Sequence, residues 1–147
     1  MADLERAFRL QPEEKRIRLL HALVLSDEGS IDAARDIINK IIAQGGSESA
    51  GLYARASVAL KERRLDAAND DLVRLLKLGK DTSGAYTLLG QFLEARGDTR
   101  GASEYYRRAL AASDRALDGR PARWLARDRL VVLRRGSEVS PNDNKNN

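Results

Sequence analysis

The sequence predicts an all-α fold, a right-handed α-solenoid of antiparallel helix hairpins, and three observations predict it. A 34-residue period runs through the chain: Gly29, Arg63 and Gly97; Ala22, Ala56 and Gly90; Ala34, Ala68 and Ala102; Ile38, Leu72 and Tyr106. Such a period marks units too small to bury their own apolar face, which must stack on a neighbour. Within each unit the apolar residues recur at three and four positions, and period-2 runs are missing. The chain is 42% hydrophobic but only 5% aromatic, with three prolines, so Leu, Ile, Val and Ala must fill its core. Ala and Leu, with the abundant Arg, Glu and Lys, are good helix formers.

The elements follow in order. The first repeat covers about 15–48, and its second helix carries Ile31, Ala34, Ile37, Ile38, Ile41 and Ile42 on one stripe. Ser30 is placed to cap that helix, and Gly45 and Gly46 stop it. The second repeat, about 49–82, reads as helices from about Ser49 to Glu62 and from about Leu65 to Leu78, ended by Gly79. The third, about 83–116, reads as helices from about Ser83 to Ala95 and from about Thr99 to Leu117. Small residues at 22, 56 and 90 and at 34, 68 and 102 mark where the two helices of a hairpin cross closely. Gly29 and Gly97 fall at the turn inside a hairpin, where positive φ is cheap for glycine. Asp118-Gly119 breaks the pattern, and Pro121 suits the first turn of a capping helix over about 121–134. That helix places Ala122, Leu125, Ala126, Leu130 and Leu133 on one side and arginines on the other. Trp124 is expected to pack on the last repeat; an interface anchor is the alternative. Residues 136–147 are polar and asparagine-rich and are expected to be disordered.

The net charge of +4 is local. Residues 1–114 balance, whereas Arg115, Arg120, Arg123, Arg127, Arg129, Arg134 and Arg135 face only Asp118 and Asp128 over 115–135. A basic stripe can hold phosphates by counterion release. A solvated capping face looks the same and is favoured, because no aromatic platform accompanies the arginines. Cysteine is lacking, so disulfides and thiolate metal sites are excluded. No apolar run reaches the roughly 18–20 residues that span a bilayer.

Catalytic chemistry finds little support. The sole histidine, His21, lies beside Ala22 within a helix and reads as partly buried and structural. Gly45-Gly46 lacks the Lys-Ser/Thr of a phosphate loop. Glu13-Glu14 fall in a first helical turn, and Asp70-Asp71 on an exposed helix face, as solvated charges. The chain therefore reads as non-enzymatic, with no cofactor and no metal.

The stretch from Ser83 to Asp114 resembles a tetratricopeptide repeat. Tyr86, Leu89-Gly90, Leu93, Ala102, Tyr106 and Ala109 fall at the family's spacing, with Gly97-Asp98 at the turn; Asp114 stands where the family closes on proline. The second repeat keeps Leu52, Ala56, Ala59, Ala68, Leu72 and Leu75, but Arg55 and Arg63 replace the usual Leu and Gly. The first keeps Ala22, Leu25, Gly29, Ala34, Ile38 and Ile41. Carried backwards, the register finds Leu4, Ala7 and Pro12, so Asp3–Pro12 resembles the second helix of a repeat lacking its first. Two readings stay open: a fragment of a longer array, which Met1-Ala2 as an added start favours, or a lone N-terminal cap.

The resemblance implies a protein-interaction scaffold whose first helices line a concave groove for an extended or helical peptide. By position the groove would show Arg16, Leu19, Leu23 and Asp27, then Tyr53, Ser57, Leu60 and Lys61, then Thr87, Gln91 and Glu94. Tyr53 is the expected anchor, with packing between hairpins as its alternative. Lys61 and Glu94 would orient the bound segment. The mixed floor and charged rim suit an amphipathic protein segment, and no small-molecule substrate is implied. The family's carboxylate clamp is excluded, because its positions hold Leu19, Leu23, Ala54, Gly84 and Leu88. Two further functions remain open: a small three-repeat chaperone for secreted proteins, and nucleic-acid binding through the arginine-rich helix. The Ala-, Arg- and Leu-rich usage points to a bacterial source, and the cytoplasm is the favoured compartment.

Overall fold

The computed structural model describes residue 6 and residues 14–45, 48–79, 83–112 and 119–138, without the side chains of 119–121 and 137–138. The regular elements among them are all helices: α1 (Lys15–Asp27), α2 (Ile31–Ala43), α3 (Glu48–Lys61), α4 (Leu65–Lys77), α5 (Ser83–Ala95), α6 (Thr99–Ala111) and α7 (Gly119–Glu138). They fall into two compact units, Met1–Lys80 with α1–α4 and Asp81–Asn147 with α5–α7.

In the first unit α1 pairs with α2 and α3 with α4, and α3 also packs on both α1 and α2. The core between the first hairpin and α3 joins Leu19, Ala22, Ala34, Ile38 and Ile41 to Ala54 and Val58. In the second unit α5 pairs with α6, and α7 packs on both. Its core joins Ala102, Tyr106 and Ala109 to Ala126, with Tyr86, Leu93, Leu130 and Leu133 packed around them. So α7 stands to the α5–α6 hairpin as α3 stands to the α1–α2 hairpin.

The period shows most plainly in the turns inside the hairpins. Ser30 N donates to Leu25 O (2.8 Å), Arg64 N to Ala59 O (2.9 Å) and Asp98 N to Leu93 O (2.9 Å). One residue earlier, Gly29 N donates to Ser26 O, Arg63 N to Leu60 O and Gly97 N to Glu94 O. This paired closure ends a helix with one residue in the left-handed region. Gly29 and Gly97 take it at φ 87° and 85°, and Arg63 is forced into it at φ 60°. A side chain in that conformation costs roughly 1–2 kcal/mol. Arg63→Gly is therefore expected to raise stability by about 0.5–1 kcal/mol after the extra chain entropy of glycine is deducted. Urea denaturation checks this, since most substitutions act in the opposite direction.

The close crossing is also visible. A Cβ built on Gly90 would lie 2.4 Å from the Tyr106 ring, so even alanine is too large there while the tyrosine keeps its place.

Four local expectations change. Ser30 holds the N-cap position of α2 but makes no side-chain cap bond, whereas Asp98 caps α6 by accepting from Gly101 N at 2.8 Å. α6 ends at Ala111 rather than Leu117: Ala112 is extended (φ −64°, ψ 127°), and its carbonyl accepts from Arg123 of α7 at 2.8 Å. α7 starts earlier and ends later than expected, running through Gly136 to Glu138. Trp124 and Leu125, expected against the last repeat, are exposed. The Asp3–Pro12 half-repeat, apart from helical Arg6, and the tail from 139 lie outside the described residues.

Candidate partner-binding face

The first helices of the repeats carry the residues expected to meet a partner, and their placement follows the register. Leu19 and Thr87 share one register position with Tyr53, and both are buried. Leu19 is held in the core against α3. The Thr87 hydroxyl lies within hydrogen-bond reach of Ser83 O (2.8 Å) in its own helix and of Ala122 O (3.1 Å) on α7. This position faces the seam where one first helix packs on the next, which removes Leu19 and Thr87 from any accessible floor. Tyr53 is partly buried.

The next register position is open. Leu23, Ser57 and Gln91 are each partly exposed, as is Leu60. In the first unit Arg16 is exposed near the start of α1, and Lys61 of α3 pairs with Asp27 of α1. Two exposed ends of neighbouring first helices are thereby tied together. A surface pair of this kind adds at most about 1 kcal/mol, so both groups stay available to a charged partner.

In the second unit Glu94 is committed elsewhere. Its Oε2 accepts from the Tyr106 hydroxyl at 2.8 Å and from Arg129 Nε at 3.1 Å, and its Oε1 accepts from the Arg129 guanidinium. The orienting role expected for Glu94 is thus filled by an internal partner, because α7 brings Arg129 beside it. Arg129 and Arg123 are both engaged within this unit, which shortens the basic stripe read from the sequence. Arg115 lies outside the described residues.

One polar cluster of the first unit escaped the sequence reading. Asp71 is only 4% exposed, not solvated. Arg55 grips it with two bonds, Nε to Oδ2 and a terminal nitrogen to Oδ1, each 2.7 Å. That bond to Asp71 holds the Arg55 guanidinium above its usual range. Beside the pair, Arg35, Asn39, Glu62 and Arg64 line a cleft of about 300 Å³, where Glu62 accepts from Arg35. The cleft carries both signs of charge, with Arg55 paired to Asp71 and Arg35 to Glu62. Asp70, exposed, also lines the cleft.

Among the described residues no three His, Cys, Asp or Glu side chains converge on a metal geometry, and no helix is long and apolar enough to cross a membrane. Comparison with known proteins agrees with the hairpin geometry. Residues 83–114 match the family model described as tetratricopeptide repeat. The crystal structure of MamA is similar to this chain with a TM-score of 0.56 and 18% identity, over 92% of this chain and 85% of that one. Likeness at that identity shows the fold. No curated protein matches the sequence.

Proposed function

We propose that this chain, whose residues 83–114 match the tetratricopeptide-repeat model and whose hairpins follow one 34-residue register, is a non-catalytic interaction scaffold that holds an amphipathic protein segment along its first helices. The observation that carries this reading is the α1–α3 pair. Leu23, Ser57 and Leu60 are partly exposed beside the Asp27–Lys61 pair and Arg16, a narrow apolar strip with charge at both ends. Such a strip can bury one face of a helix or alternate side chains of an extended segment.

Selection from a displayed peptide library, followed by affinity measurement on the full chain, tests the proposal. Selected peptides are expected to share an apolar stripe, and Ser57→Arg should weaken them at least tenfold while the thermal midpoint stays put. Peptides indifferent to Ser57→Arg and Leu23→Asp would place binding elsewhere. Tyr53→Ala separates the two roles of the tyrosine: a large fall in midpoint assigns it to packing, and lost affinity alone assigns it to the partner.

A further inference from the structure

The capping helix α7 has a second apolar face. Trp124 is 68% exposed and Val132 50%, and Leu125 and Val131 are also well exposed. Positions 124, 128, 131, 132 and 135 lie along one side of a helix. Between Trp124 and Val132 the strip runs for roughly 12 Å. The opposite side, through Ala122, Ala126, Leu130 and Leu133, is the one seated on the unit's core.

The parallel with α3 explains why this strip is bare. α3 seats Ala54 and Val58 on the hairpin before it, and α7 seats Ala122 and Ala126, the same register positions two periods on. The remaining side of α3 is closed by α4, leaving Leu52, Ala56 and Ala59 buried. Among the described residues no helix closes that side of α7. The register also puts Trp124 where the other first helices carry Ala22, Ala56 and Gly90. At Gly90 the crossing is so close that a single added carbon would strike Tyr106. An indole at that position holds off any helix crossing at the ordinary hairpin separation. What fits is a helix lying farther out and taking the indole between its own side chains.

The rim selects the charge of that helix. Among the described side chains of α7, Arg127 and Arg135 are exposed along the strip and Asp128 is the one exposed carboxylate. Phosphates would gain nothing from Leu125, Val131 and Val132, whereas an amphipathic helix buries them. We propose that α7 docks an acidic amphipathic helix of a partner protein, with its apolar stripe over Trp124, Val131 and Val132 and its carboxylates against Arg127 and Arg135. Aromatic anchors within a charged rim are the usual centre of binding energy. Leu125 falls at the register position of Leu23, Ser57 and Gln91, but Trp124, Val131 and Val132 do not, so the proposal stands whether or not the concave face binds.

Trp124 is the only tryptophan, so its emission reads the docking directly. Two synthetic helical peptides serve as probes, with identical leucine stripes and either glutamate or lysine flanks. The glutamate peptide is expected to shift Trp124 emission to the blue and saturate, with the lysine peptide at least tenfold weaker. The double variant Arg127→Glu/Arg135→Glu should reverse that preference. Trp124→Ala should lose at least tenfold in anisotropy with the labelled glutamate peptide, at unchanged helix content and thermal midpoint, and Ser57→Arg should leave the Trp124 emission shift with that peptide unchanged. Equal affinity for both peptides, or unmoved emission, overturns the proposal. So does a blue shift that grows with protein concentration alone, which assigns the strip to a second copy. An oligonucleotide that shifts emission more strongly than the glutamate peptide overturns it as well.

Discussion

Arg55→Leu is expected to cost about 3–5 kcal/mol, because it strands the buried Asp71 carboxylate without its counter-charge. The reverse change, Asp71→Ala, should cost less. The Arg55 side chain is about one-third exposed and can turn its guanidinium to water, whereas Asp71 has no such route. The 34-residue register supplies the rescue: the third hairpin holds Leu89 and Tyr105 at these two positions. The double variant Arg55→Leu/Asp71→Tyr should recover most of the loss, since packed apolar groups often replace a buried pair at no net cost. Denaturant midpoints of the two single variants and the double variant decide the matter. Additive losses would mean that the pair is not a unit.

Tyr106→Ala should be as costly, at about 3–5 kcal/mol, because it empties the largest fully buried position of the second unit. The loss has a second component. The hydroxyl is one of two groups that hold Glu94, the other being Arg129 on α7, so Tyr106 of α6 is tied through Glu94 of α5 to α7. Tyr106→Phe keeps the ring against Gly90 and should cost only about 1 kcal/mol. Burial raises the Tyr106 phenol well above the ordinary tyrosine range. Its contribution is therefore complete below about pH 10, where an unfolded tyrosine titrates, and is lost as the pH climbs beyond. Tyr106→Phe should flatten that alkaline decline, which a stability series from pH 8 to 12 would record.

The hairpins were legible because each constraint recurs. A small residue at 22, 56 or 90 says little alone, but the same demand three times over leaves one explanation, and Gly90 against Tyr106 is its physical form. Departures confined to one repeat were harder. Arg55 read as a mismatch and Asp71 as a solvated charge, because each was weighed singly. Their signal was joint: both depart in the same hairpin, at positions that hold His21 and Ile37 in the first repeat and Leu89 and Tyr105 in the third. The end of α6 was set from a distance. Residues 113–117 continue a helical pattern, yet the helix stops where the Ala112 carbonyl meets Arg123. Leu19, Thr87 and Glu94 were assigned to a partner by position along the helix. Their fate depended on how closely the next first helix packs, which no single helix encodes.

The Arg55–Asp71 pair bears finally on how such a chain avoids tangling while it folds. Near-identical hairpins invite the wrong second helix to close on a given first helix, the usual hazard of tandem sequences. Were α4 to close on α1, Asp71 would meet His21 in place of Arg55. Were α6 to close on α3, Arg55 would meet Tyr105. The first exchange buries the Asp71 carboxylate without its counterpart and the second leaves Arg55 without its acceptor, penalties that an all-apolar pair at these positions could not impose. The middle hairpin thus carries a key that only its own two helices share, and it keeps the order of the chain in an array whose other contacts are nearly interchangeable.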